Sequence, residues 1–232
     1  MSLEFLAPAE PALARSPMER EARAAGARIE RRDGWNVAVS FDGDEPERRR
    51  RESSVGFADR SHLGKIELQA GAADLARLVA DAGGGRLELG TAARAAGAWW
   101  CPYAPNRALV LCEPGDVADL RTRLEGAAEG SAGPASVLDV TTVFAALTVA
   151  GPLSGELFAR FSAIDLRPAV MPVHAFRPVS VARTPGTVLR EGEQRYLMLF
   201  GAALGSYMWI VVADAAESLG GGPVGLEALG DA

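Results

Sequence analysis

The apolar positions of the chain change period from segment to segment, and each change marks an element. In "KIELQ", Ile66 and Leu68 alternate with Lys65, Glu67 and Gln69, which predicts a strand with one buried face. The next stretch, "AADLARLVADAGGG", spaces Leu75, Leu78, Val79 and Ala82 at i, i+3, i+4 and i+7. That is the apolar stripe of a helix, ended by three glycines. "GRLELG" and "RALVLCEP" predict further strands. "PGDVADLRTRLEGA" predicts a second helix, capped at Asp116, with Val117, Leu120 and Leu124 on one face. Upstream, Ser16 and Pro17 open a helix that Gly26 stops, followed by an extended pair through Trp35 and Phe41. Residues 1–15, rich in Ala and Pro, are expected to form a flexible arm.

A Gly, Ser and Pro-rich break over residues 125–136 separates this half from a second one. "TVFAALTVAG" predicts a strand, "PLSGELFARFSAI" a helix, "HAFRPVSVAR" and "QRYLMLFG" two strands, and "SYMWIVVADAAESLGGG" a closing helix. Both halves therefore run strand, helix, strand, strand, helix. The expectation is an α+β fold: duplicated βαββα units, about 64–125 and 137–222, forming an antiparallel-sheet/helix sandwich in one domain over 16–232. "YMWIVVA", residues 207–213, is apolar around its whole circumference. Such a helix needs cover on more than one side, from its own domain or from a partner chain.

Composition narrows the function classes. At 232 residues and 48% hydrophobic the chain is able to build a full core, and its apolar runs fall far short of the ~20 residues of a membrane span. The first twenty residues carry acids and prolines where a secretion signal has an unbroken apolar stretch, so a cytoplasmic protein without a membrane partner is expected. A net charge of -6 argues against a nucleic-acid partner. The local exception, Arg48 to Arg51, reads as a solvated helix face paired with the acids of "DGDEPE". Cys101 and Cys112 have no CxxC spacing or histidine company, so they are expected as buried thiols rather than metal ligands.

Candidate chemistry gathers in "VGFADRSHLGKIEL", residues 55–68, where Asp59, Arg60, Ser61, His62 and Lys65 lie within seven positions. Two readings stand: a catalytic cluster, or a turn. In the turn, Asp59 and Ser61 hydrogen-bond exposed backbone N–H groups and Gly64 permits the bend. Ser61 and His62 are adjacent and so point different ways, and no G-x-S-x-G elbow is present. The other histidine, His174, is expected to be a strand residue with a local packing role. The glycine runs follow helices and lack the spacing of a phosphate-binding loop. Trp99, Trp100 and Tyr103 in "AWWCPYAPN" suit either core filling or an aromatic platform for a flat ligand.

Three segments resemble the glycine-cleavage T-protein (aminomethyltransferase) superfamily: "SPMEREARAAGARIERRDGWNVAV", "ESSVGFADRSHLGKIELQ" and "YMWIVVADAAESLGGGPVGLEAL". They match its GA…GW entry, its VG-x-x-D-x-SH-x-GK turn and its closing GL. "PNRALVLCEPGDVADLRTRLE" and "VLDVTTVFAALTVAGPLSGELFARFSAIDLRP" are similar to one branch, the gamma subunit of heterotetrameric sarcosine oxidase. Together the segments cover residues 16 to 229.

The resemblance implies a folate-binding-type fold, without the family's C-terminal barrel, and tetrahydrofolate as the candidate cofactor. In T-proteins one carboxylate beside the reacting amine tunes proton transfer, a second receives the pterin N–H groups, and an arginine pairs with the folate tail. Here the first position falls at Ala96 or Gly97 and the arginine position at Leu229, none of which carries charge. Glu193 stands at the pterin position, and His62, Trp100 and Tyr103 complete the candidate cleft; no residue is assigned as catalytic. The implied function is a non-catalytic assembly subunit docking on larger oxidase chains, like sarcosine oxidase gamma. The alternative is a stand-alone tetrahydrofolate-binding protein or minimal aminomethyltransferase, with a homo-oligomer in place of larger oxidase chains.

Overall fold

A computed structural model describes residues 13–230. The first part of the chain forms β1 (Ala14–Arg15), α1 (Glu19–Ala24), β2 (Arg28–Arg32), β3 (Trp35–Ser40), α2 (Asp44–Ser53) and β4 (Gly56–Asp59). The middle forms β5 (Gly64–Gln69), α3 (Ala72–Asp81), β6 (Ala93–Ala95), β7 (Ala98–Ala104), β8 (Arg107–Cys112), α4 (Val117–Glu129) and β9 (Ser136–Asp139). The last part forms β10 (Phe144–Ala150), α5 (Ser154–Ala159), β11 (Phe176–Val181), β12 (Thr184–Gly192), β13 (Arg195–Gly201), α6 (Gly205–Glu217), β14 (Gly222–Pro223) and α7 (Leu226–Leu229).

Two sheets carry the fold. One runs β6-β7-β8-β5-β9 and the other β11-β12-β13-β10-β4-β14, so the first four strands of each repeat the same order. This is the duplicated α+β arrangement that the element order implied. Period-2 burial explains how the sheets stack. Ala146, Leu189, Leu197 and Leu199 face Trp99, Cys101, Leu109 and Leu111 of the other sheet in a shared apolar layer. The alternate residues Leu147, Val188, Met198 and Phe200 face outward onto a core with α1, α5 and α6. Ile66, Leu68, Trp100 and Val110 face outward onto α3 and α4. Two sheets thus lie back to back with helices on both outer faces. A third, small sheet, β1-β3-β2, is added at one end, its hairpin closed by Asp33 and Gly34 at φ +47° and +78°.

Several sequence expectations need correction. "GRLELG" is not a strand, because Gly90 at φ +83° breaks it and only single bridges from Glu88 to Thr91 and from Thr91 to Ala175 form. The break begins at Gly130 rather than at 125, since α4 continues to Glu129 and β9 follows closely. Asp116 occupies the start of α4 without a side-chain capping bond. His174 lies in a left-handed turn (φ +69°) ahead of β11, not within a strand. Of the arm expected over 1–15, residues 1–12 lie outside the described residues, and Ala14–Arg15 pairs in parallel with β3. On α6, Met208, Trp209 and Val212 are buried within this chain, while Tyr207 and Ile210 are 45% and 60% exposed.

The arginine run divides in the same way. Arg48 and Arg49 pair with Asp44 and Glu45 one turn earlier, as a solvated face should. Arg50 pairs with Asp42 of the same acidic stretch and also donates to the Pro223 carbonyl, and Arg51 donates to the Leu229 carbonyl, so these two tie α2 to the C-terminal segment. Glu47, on the same helix, is fully buried.

Candidate functional site

The 55–68 stretch is a tightly bonded turn. Asp59 Oδ1 accepts from the Ser61 N–H at 2.9 Å, and Ser61 Oγ accepts from the Ala146 N–H at 3.2 Å. Lys65, read as the polar side of its strand, is fully buried, and its Nζ donates to the carbonyls of Ser61, Leu63 and Thr141. Burial lowers its pKa to about 8, opposed by the nearby Asp59 and Asp139 carboxylates. Lys65 is thus a cationic clasp that joins this turn to the β9–β10 connection. Gly64 is required by close approach: a Cβ there would lie 2.2 Å from Val117 Cγ2 and 2.8 Å from Cys112 Sγ. Lys65→Met should lower stability by about 3 kcal/mol, because three buried carbonyls lose their donor. Urea denaturation checks this, and a change below about 1 kcal/mol would contradict the clasp.

His62 is buried in the same turn, and burial together with Arg60, Lys65 and Arg32 lowers its pKa to about 3. It is a neutral imidazole at ordinary pH. Burial pushes the Cys112 thiol up to about 12 and the Cys101 thiol upward as well, so neither is a thiolate nucleophile. Both cysteines are free and buried, as expected. Among the described residues no group of three or more His, Cys, Asp or Glu is placed to hold a metal.

The four residues expected to line one cleft do not meet. Trp100 faces α3 and α4 and donates to the Ala95 carbonyl; its neighbour Trp99 faces the inter-sheet layer. Tyr103 lies further along β7, where burial and a hydrogen bond with Glu67 raise its hydroxyl pKa to about 12. Glu193 is exposed in the β12–β13 turn, where its carbonyl accepts from Arg190 Nη2.

A different set of residues surrounds a recess of about 300 Å³ at the end of the inter-sheet layer. Arg60, Arg94, Arg195, Glu113, Glu191 and Trp99 form its walls, with Leu63, Leu111, Cys112, Gly97 and Gly230. Arg60 Nη2 pairs with Glu113 at 3.2 Å, and Arg195 Nε with Glu191 at 3.1 Å. Arg195 Nη1 also donates to the carbonyls of Leu229 and Gly230, which brings the C-terminal segment to the recess. Arg94 lies over the Trp99 ring, 5.2 Å from its centre, and the His174 ring meets the same indole edge-on at 5.1 Å. Burial of Arg195 lowers its pKa, opposed by Glu191 and reinforced by Arg60 and Arg51.

Of the uncharged positions that the family pattern marks, Gly97 lies at this recess. Ala96 and Gly97 form the tight β6–β7 turn at φ +48° and +77°. Leu229 itself is buried, but its carbonyl receives Arg195. Arg60 belongs to the 55–68 cluster, whereas Arg94, Arg195 and Glu191 were absent from the sequence-based candidates. Strand parity could have found two of them: Glu191 and Arg195 share the inward face with Leu189 and Leu197, which leaves Glu193 in the turn.

Comparison with known proteins places this geometry in context. The GCVT N-terminal domain family matches residues 18–231. Among solved structures the chain is similar to the heterotetrameric sarcosine oxidase from Corynebacterium sp. U-96 in complex with pyrrole 2-carboxylate. That match has 22% identity and a TM-score of 0.69, and covers 89% of this chain and 96% of that one. It is also similar to the glycine cleavage system aminomethyltransferase T from Bartonella henselae, at 17% identity and a TM-score of 0.79. There it covers 94% of this chain but only 61% of the aminomethyltransferase. No curated protein matches this chain.

Proposed function

The chain belongs to the GCVT N-terminal domain family, and from that premise we propose that it is a non-catalytic assembly subunit of a sarcosine-oxidase-like complex. It docks in the manner of a gamma subunit on larger oxidase chains that carry the chemistry. The observation that carries this reading is the recess. Where the family's chemistry needs a carboxylate beside the reacting amine, this chain has an alanine–glycine turn whose Gly97 borders a recess lined by three arginines. A proton-accepting role requires a base in reach of the substrate nitrogen. At this recess Glu191 is engaged by Arg195 and Glu113 by Arg60.

The likeness of fold to a chain of a heterotetrameric sarcosine oxidase, at a TM-score of 0.69, supports the subunit reading. So does the exposed pair Tyr207 and Ile210 on α6, since large apolar side chains left on a helix surface suit a chain–chain interface. No helix among the described residues is long and apolar enough to cross a membrane. We place the complex in the cytoplasm and tetrahydrofolate with the assembled complex; this chain alone does not hold it tightly. The competing reading, a stand-alone tetrahydrofolate-binding protein or minimal aminomethyltransferase, asks Glu193 to receive the pterin from an exposed turn outside the recess.

The test is turnover by the isolated chain. With an aminomethyl donor and tetrahydrofolate, formation of methylenetetrahydrofolate should stay at the uncatalysed rate, and Glu193→Gln should change nothing. Turnover that Glu193→Gln abolishes would establish the competing reading instead.

A further inference from the structure

A second recess, of about 900 Å³, lies between the end of α5, the β11–β12 hairpin and α6. Phe161, Ile164, Val179 and Val211 give it an apolar lining, and Tyr207 adds a ring that is 45% exposed. Arg160 and Arg183 belong to the same lining, and no carboxylate does. Among the described residues neither guanidinium has a hydrogen-bond acceptor, an ion-pair partner or an aromatic ring against it. The acids nearest in sequence lie outside this groove. Glu156 and Asp165 line an adjoining recess, where Asp165 pairs with Arg167, and Asp214 follows Val211 one turn further along α6. Two unpaired cations without an acid run against a chain of net charge -6. Hydrogen bonds across the walls hold the groove in shape. Ser162 Oγ donates to the Ser180 carbonyl at 2.7 Å, the Ala182 N–H to the Phe161 carbonyl at 2.9 Å, and Tyr207 Oη to the Ala182 carbonyl at 3.1 Å. The two-residue turn itself, Ala182–Arg183, sits at φ +46° and +64°, where such hairpins usually carry Asn and Gly. The turn that presents Arg183 is therefore strained, yet pinned from two sides.

Building on the assembly reading, we propose that this groove docks an acidic segment of a partner chain. Carboxylates of that segment meet Arg160 and Arg183, and an apolar side chain between them packs on Tyr207 and Val211. Charge complementarity selects this occupant, because a guanidinium offers a carboxylate two parallel N–H donors and repels a basic segment. The bonded walls mean that little ordering is left to be done when the segment arrives. Ile210, 60% exposed one turn from Tyr207, extends the apolar surface along α6.

Fluorescence anisotropy of labelled peptides with the intact chain at low salt tests this. The peptide EDLFED should bind saturably, and KKLFKK and EDSSED at least tenfold more weakly. Arg160→Gln and Arg183→Gln change exposed residues and so keep the fold. They should weaken EDLFED binding by about threefold each and about tenfold together. Absence of saturable EDLFED binding, equal binding of either control, or unchanged affinity in the double variant would overturn the proposal. Native mass keeps this inference separate from the assembly reading. A chain that binds EDLFED as described yet purifies alone would support the groove and contradict the assembly reading. A hetero-oligomer that survives Arg160→Glu combined with Arg183→Glu would support the assembly reading and overturn the groove. A homo-oligomer broken by that double reversal would make a second copy the occupant and overturn the partner assignment.

Discussion

Glu47→Ala is expected to cost about 4 kcal/mol of folding stability, near the upper end for a single substitution. The Glu47 side chain is fully buried. Its Oε1 accepts from Ser40 Oγ and from the backbone N–H groups of Phe41, Asp42 and Gly43 at 2.7 to 3.1 Å. Its Oε2 accepts from the Gly225 N–H. One carboxylate therefore closes the β3–α2 loop and fastens it to the segment that leads into α7. Gly225 is packed so closely that an added Cβ would sit 2.0 Å from the Val39 carbonyl oxygen, which leaves the loop no other way to satisfy its donors. Truncation leaves several buried N–H groups unpaired at about 1–3 kcal/mol each, reduced where water enters. Glu47→Gln should cost roughly half as much, since the amide keeps one acceptor but turns an NH₂ toward donors. Chemical denaturation of both variants checks this, and a loss below about 1 kcal/mol for alanine would contradict it.

The second large effect is acid sensitivity through His62. Its pKa falls from the ordinary 6.5 to about 3 in the folded chain, chiefly through burial and then through Arg60 and Lys65. Between those values the unfolded chain binds a proton that the folded chain refuses, so stability is lost as pH falls from 6.5 towards 3. Above 6.5 both states hold a neutral imidazole and the term is constant. The full shift corresponds to on the order of 5 kcal/mol at the acid end. Stability measured against pH for the wild-type chain and for His62→Gln should diverge in slope through that window, the variant being flatter. Parallel curves would show that His62 does not carry this term.

Much of the architecture was legible because burial on two faces leaves a period in the sequence. The stripe of α3 and the alternation of β5 needed only counting, and Ser16–Pro17 announces the helix that begins two residues later. The misplacements share a cause: tertiary contact decided them. "GRLELG" alternates like a strand but crosses between sheets, and Lys65 reads as solvent-facing yet is drawn inward by three carbonyls brought from two segments.

The functional positions were legible unevenly. The tight turn at Ala96–Gly97 is a local fact, since both residues take positive φ between β6 and β7. The recess was not legible, since Arg60, Arg94 and Arg195 are far apart in sequence and meet only once the two sheets stack. Glu193 came from its place in a family motif and Trp100 from its aromatic cluster, and neither signal carries the strand parity that puts Trp99 and Glu191 at the recess.

The most direct measurement is the native mass of the particle that contains this chain, purified without denaturant from cells expressing it at natural level. A hetero-oligomer with a larger, flavin-absorbing chain is the predicted result. A monomer or homo-oligomer that transfers aminomethyl groups to tetrahydrofolate on its own would contradict it.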